Sequence, residues 1–275
     1  MLKLLKWELR QAGRSLLPLA GAYLAIACVT AGMIALNRRW FVLEQDTAAA
    51  SMSLSLRTAA SPVLGAASVV LFAALVLGAM ALTAATVIVN VQRFYRMLGQ
   101  EGYLAFSLPV TAAAHIGAKL LCAVLCTALA VAAALAGVWI ILLGAGAAVS
   151  LPGVPADTAA WLAAGGLASI ASGYLTAYLA CAIGMGRGRN RLAASLLAFT
   201  ALVVLGQLAL LGLGLALART GFFRITLLPW MVHAANGGAG LPGWIMALTC
   251  CVPLAAGTVC FVLTRWLLAR RLNLP

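Results

Sequence analysis

The 275-residue sequence is 65% hydrophobic and only 8% charged, with a formal net charge of +13 and a mean hydropathy of +1.09. Soluble domains carry about 25% charged residues, so this composition excludes a water-soluble globular protein and indicates an integral membrane protein. A bilayer core of about 30 Å takes about 20 apolar residues per helix, which gives this length about six spans in one membrane domain covering 1–275.

The chain opens with MLKLLKWELRQAGRS. Its helical periodicity puts Lys3, Lys6, Arg10 and Arg14 on one stripe and Leu2, Leu5, Leu9 and Ala12 on another. Residues 1–15, with Trp7 among them, therefore read as an amphipathic interfacial helix with its basic side toward headgroups and water. The apolar run that follows is of span length, which favours an uncleaved first helix over a signal peptide.

Spans are expected at 16–36, 62–91, 111–143, 159–185, 192–218 and 241–264. With the amino terminus inside, the cytoplasmic segments hold Lys3, Lys6, Arg10, Arg14, Arg93, Arg96, Lys119, Arg187, Arg189, Arg191, Arg265, Arg270 and Arg271. The opposite side holds only Arg38, Arg39, Arg57, Arg219 and Arg224. Cytoplasmic flanks of spans are enriched in Lys and Arg, so this bias puts both termini in the cytoplasm and explains the basic charge without nucleic acid.

Of the two longer outer segments, 45–60 reads as a polar loop. The segment 219–240 mixes aromatics with a glycine-rich end, as a short interfacial or re-entrant helix would. Small residues at four-residue spacing in the fourth span, Ser169, Gly173, Ala177 and Cys181, read as a packing stripe. Pro253 inside the last span removes a backbone donor and favours a kink there.

The seven cysteines all lie in apolar stretches, where a thiol behaves as a small hydrophobe, so no disulfide framework is expected. Cys122 and Cys126 share a helix face with His115 one to two turns earlier, but no carboxylate or second histidine completes a ligand set, and packing is the expected role. The acids Glu8, Glu44, Asp46, Glu101 and Asp157 all fall in expected flanks or loops. Ion-coupled carriers usually keep an acid or histidine within their spans, which disfavours that class. No serine or cysteine has a paired base at readable spacing, and no GxxxxGK[ST] phosphate cradle occurs. An enzyme is therefore not expected, and nucleotide energy would have to come from another polypeptide.

The stretch GQEGYLAFSLPV at 99–110 interrupts this apolar chain. Gly99 permits the turn that stops the second span. Residues 101–108 can form a short helix with Glu101 near its positive amino end, Pro109 ends that piece, and Thr111 is suited to cap the third span. Tyr103, Leu104, Phe106 and Leu108 are too apolar for a solvated turn, so a partner surface or the headgroup layer should cover some of them.

The order Arg-Phe-Tyr-Arg at 93–96, Gly99, Glu-Gly-Tyr-Leu at 101–104, Ser-Leu-Pro-Val-Thr at 107–111, then Lys119, resembles the first cytoplasmic loop of membrane subunits of the type-2 exporter class of ABC transporters. The resemblance extends to the basic start (the elbow helix of that family), the six spans, and the ending Arg270-Arg271-Leu272-Asn273-Leu274. The chain departs from the family at Gln100, where many relatives have an acid, and at Ala112, where many are charged.

The resemblance implies an all-α permease whose 99–110 loop is a coupling helix. Arg96, Gln100, Glu101, Gly102, Tyr103, Leu104, Phe106, Leu108 and Pro109 would then contact an ATPase subunit present in two copies. It further implies a second permease, identical or similar, and ATP and Mg bound by the partner alone. Such a protein would sit in the cytoplasmic membrane of a bacterium and export an amphipathic or hydrophobic peptide, drug or lipid-like substrate. The alternatives are an ion-coupled secondary carrier and a non-transporting scaffold or sensor.

Overall fold

The computed structural model describes residues 2–36, 41–45, 52–56, 62–98, 112–144, 156–186, 190–221 and 243–271. In chain order these form α1 (Leu2–Leu36), β1 (Phe41–Gln45), β2 (Met52–Leu56), α2 (Pro62–Leu98), α3 (Ala112–Gly144), α4 (Ala156–Met185), α5 (Arg191–Arg219) and α6 (Gly243–Arg271). Among the described residues six helices are long and apolar enough to cross a membrane, which makes the chain a multi-pass membrane protein. Runs of Ala, Leu and Val that bury no polar group can satisfy their backbone groups in lipid only as helices.

The helices are longer than a bilayer requires. At 1.5 Å per residue, the 35, 37 and 33 residues of α1, α2 and α3 extend about 50–55 Å against a hydrocarbon core of about 30 Å. The interfacial segment 1–15 and the first span are continuous, one helix from Leu2 to Leu36 that carries Pro18 within it. One short antiparallel pair departs from the all-helical plan. β1 and β2 run in register from Phe41 opposite Leu56 to Gln45 opposite Met52, and β2 falls in the stretch assigned above to a polar loop.

The chain divides into two compact units. One is formed by Leu2–Val89 and Leu125–Leu151. Its core gathers Tyr23, Ala27 and Ile34 of α1, Leu75 and Leu82 of α2, and Ala130 and Ile141 of α3. The Tyr23 hydroxyl donates to the Ala134 carbonyl at 3.3 Å, a span-to-span bond on a helix carbonyl. Glycine makes these approaches possible. A Cβ on Gly137 would lie 2.6 Å from the Tyr23 hydroxyl, and one on Gly144 would lie 2.6 Å from the Ala31 carbonyl oxygen. The partners 23 with 137 and 31 with 144 rise together in number, so α1 and α3 run parallel.

The other unit is formed by Asn90–Val124 and Pro152–Pro275. Here α4 packs on both α5 and α6. The Cys250 thiol meets the Trp161 carbonyl at 3.9 Å, and Thr176 Oγ1 meets Cys260 Sγ at 3.8 Å. Gly165 also faces Thr249, and Gly257 faces Ser172 and Leu175. Trp161 and Gly165 thus meet 249–250 while Ser172 and Thr176 meet 257–260, so α4 and α6 are parallel. The end of α4 and the start of α5 approach closely, since a Cβ on Gly184 would lie 2.6 Å from the Ser195 backbone nitrogen. The expected packing stripe of α4 is only half engaged: Ala177 and Cys181 are buried, whereas Ser169 and Gly173 are exposed. Gly165 and Ser172 are small residues of α4 that meet α6, because the contact face follows α6 and not the four-residue repeat. Pro253 lies inside α6.

Replacing Gly144 with Ala sets a methyl against main chain that cannot turn aside. The expected cost is about 1–3 kcal/mol, read as a lower melting temperature in detergent. Gly21→Ala, where no atom lies within 4 Å, should be neutral or stabilising by up to about 1 kcal/mol.

Candidate functional site

The expected contact segment, with Gln100, Glu101, Gly102, Tyr103, Leu104, Phe106, Leu108 and Pro109, lies outside the described residues, as does the outer segment at 222–240. The structure describes the two helix ends from which 99–111 departs. Both belong to the second unit and both enter one buried cluster. Phe94 and Met97 come from the last turns of α2, Ile116 and Ala123 from the start of α3, Tyr174, Leu175, Tyr178 and Cys181 from the second half of α4, and Leu268 from the end of α6.

At its centre Phe94 and Tyr178 stack with ring centroids 3.8 Å apart and planes within 14°. Tyr174 sits tilted beside Tyr178 at 6.2 Å. Phe94 and Tyr178 are both fully buried. Stacked aromatic pairs add about 0.5–1.5 kcal/mol beyond the area they bury. In a membrane unit the surrounding lipid is as apolar as the side chains, so such packing carries helix association. The signal was present in the sequence as Phe94 among the 93–96 quartet and Tyr174 and Tyr178 one turn apart.

Charge gathers on the same helix ends. Arg93 is half-buried and Arg96, in the last turn of α2, is exposed. His115 is buried and Lys119 half-buried at the start of α3, and all four are engaged in contacts. At the end of α6 the Arg270 guanidinium lies 4.1 Å over the Trp266 ring, the Trp-Arg combination favoured at a membrane interface. The cluster thus joins the ends of α2, α4 and α6 and the start of α3, and each of those ends carries basic residues close by in sequence.

On α1, Lys6, Trp7, Arg10 and Arg14 are exposed, while the side chain of Lys3 is outside the described residues. The buried stripe is Glu8, Ala12 and Leu16, with Leu9 half-buried. Glu8 was read from the sequence as part of a solvated flank. It is 6% exposed and engaged with a partner. Its spacing of four from Ala12 and of eight from Leu16 is the pattern that could have revealed it.

His115, Cys122 and Cys126 are each buried. Among the described residues no group of three His, Cys, Asp or Glu side chains is placed to hold a metal ion, and all seven cysteines are free thiols. Comparison of the chain with protein-family models, with curated proteins and with solved structures gave no match in any of the three.

Phe94→Ala should cost about 3–5 kcal/mol by emptying the centre of the cluster. Hydrogen exchange read by mass spectrometry should then quicken over 94–98 and 113–119, while Tyr178→Phe, which keeps the stacked ring, leaves those segments protected.

Proposed function

We propose that this chain is the permease subunit of an ATP-driven exporter of the ABC type-2 class, working with two copies of a separate ATPase subunit. One observation carries the reading. The stretch 99–111, whose sequence resembles a coupling helix, hangs between two overlong helices whose ends are fixed in a single buried cluster with the ends of α4 and α6. A contact that must turn ATPase closure into helix movement needs such a footing. A loop on frayed ends would absorb a push, whereas close-packed helix ends move as a rigid body.

In this reading the cluster lies at the cytoplasmic side with both termini. That sidedness rests on the thirteen basic residues assigned to this side and five to the other, out of 18. The ATPase subunits close on ATP and press on Glu101 to Leu108. The exposed Arg96 belongs to the contact in this reading, and the basic face of α1 at Lys6, Arg10 and Arg14, with Trp7, lies in the headgroup layer. ATP and Mg stay on the partner. The cargo is amphipathic or hydrophobic, because the described spans offer few ionised groups to hold a hydrophilic one. Asp157 sits in the first turn of α4 and Glu8 in the second turn of α1. Glu8 is buried and engaged with a partner on α1, and in this reading it packs α1 and does not carry a proton or ion.

Two measurements test the reading. Purification of the chain from its native membrane in nanodiscs should bring with it a stoichiometric soluble protein bearing a Walker motif. A chain that comes alone and transports on an ion gradient overturns the proposal in favour of a carrier. In the assembled complex, replacing Glu101 and Tyr103 with Ala should lower export at least tenfold while ATP hydrolysis and the melting temperature of the permease persist. Unchanged export in that double variant removes the coupling role of the segment.

A further inference from the structure

Charge around the buried cluster is one-sided, and part of it faces inward. At 100° per residue Arg93 is turned about 60° from Asn90 and 40° from Met97 on α2. On α3, Lys119 is turned about 40° from His115, 60° from Cys122 and 40° from Ala123. All five of those neighbours are buried, so Arg93 and Lys119, each half-buried, lie on packing faces and not on the solvated flank that their charge suggests. Long basic stems on such faces carry their charged ends to the rim, where Arg96 is exposed.

The opposite charge is distant. Among the described residues of this unit the acid is Asp157, in the first turn of α4. It precedes Tyr178 by 21 residues, about 32 Å along that helix. Cations taken out of water need an anion and hydrogen-bond acceptors close by. Acceptors are wanted at single atoms too. Arg93 Nη2, His115 Nε2 and Tyr178 Oη are buried without a hydrogen-bond partner, although all three residues are engaged in other contacts. Tyr178 belongs to the cluster, Arg93 precedes its Phe94 and His115 precedes its Ile116.

Depth selects the class of anion. Arg93 lies two residues beyond the expected end of the second span at 91, and His115 four residues inside the expected third span from 111. These are about 3 Å and 6 Å from the edge of the hydrocarbon. Lipid phosphates lie at that level, and basic pockets between spans hold anionic headgroups. A phosphodiester offers acceptors alone, which suits a guanidinium, an imidazole N–H and an ammonium together. A choline or ethanolamine headgroup would set a further cation against Arg93, Arg96 and Lys119, so the favoured lipid carries net negative charge.

We propose that the end of α2 and the start of α3 form a site for one anionic lipid, whose phosphate accepts hydrogen bonds from Arg93, His115 and Lys119. The site requires no ATPase and stands apart from the exporter reading.

The test is native mass spectrometry of the full chain in detergent with phosphatidylglycerol or phosphatidylcholine. One phosphatidylglycerol should stay on each chain at concentrations where phosphatidylcholine is lost, and excess inorganic phosphate should not displace it. Arg93→Gln and Lys119→Gln should each weaken that binding about fivefold, the effect of one basic residue near an anionic headgroup. Arg93→Lys, which keeps the charge, should stay within about threefold of the parent. Removing two charges from α1 with Lys6→Gln and Arg10→Gln should leave the binding unchanged. In the unaltered chain, phosphatidylglycerol should slow hydrogen exchange over 94–98 and 113–119 more than phosphatidylcholine does, a readout that needs no variant to fold. Equal binding of the two lipids, full binding in Arg93→Gln and Lys119→Gln, an equal loss in the α1 variant, displacement by inorganic phosphate, or exchange that phosphatidylglycerol leaves unaltered overturns the proposal. So does binding that appears only after Glu101→Gln, which assigns these cations to a carboxylate of the chain itself.

Discussion

Every feature of this protein answers to the loss of water as a hydrogen-bonding partner. A backbone group stranded in hydrocarbon costs several kcal/mol, so the spans are helices throughout. The same constraint governs the side chains. Thr30, Thr86, Ser169, Thr176 and Thr264 each return their hydroxyl to the carbonyl four residues earlier, at 2.7–2.9 Å. A hydroxyl on Cβ reaches that carbonyl without leaving its own helix. Tyr23, whose oxygen lies at the far end of a ring, bonds instead to a different span.

What holds the helices together is therefore shape. Glycines at 137, 144, 165, 184 and 257 let main chain approach main chain or a neighbouring side chain, and the Phe94–Tyr178 stack fills the place where four helix ends converge. These contacts lie within their own units. In the second unit they hold the end of α2 and the start of α3, which flank 99–111 in sequence, in one cluster with α4 and α6.

The helices were legible because the signal is large. Twenty or more apolar residues in a row leave no other structure, and expected span ends such as 36, 62, 143 and 185 fall within a residue of the helix ends. Hydropathy reports where lipid begins and not where a helix stops, so α2 runs seven residues beyond its expected end at 91 and α6 seven beyond 264. The packing face of α4 was harder to read. In an Ala-rich helix many small-residue stripes coexist, and only the position of α6 selects Gly165 and Ser172. The burial of Glu8 was missed because a charge was assigned to water by type, without asking which face it shared. The strand pair was missed for a different reason. Met-Ser-Leu-Ser-Leu alternates with period two, but five residues between long apolar runs were weighed as a loop. The segment 99–110 is read only as a motif with a turn, a break and a cap, and it lies outside the described residues.

The parallel pairing of α4 with α6 sets an order of assembly. Only five residues separate the end of α4 from the start of α5, and the two can enter the bilayer as one hairpin with Gly184 already against Ser195. Ser172 must wait for Gly257, 85 residues later in the chain. At roughly 5–20 residues per second of synthesis that is about 4–17 s, during which the contact face of α4 is covered by lipid alone. The late arrival of α6 replaces that lipid and completes the buried cluster through Leu268, so the packing around the end of α2 and the start of α3 is finished only with the last helix.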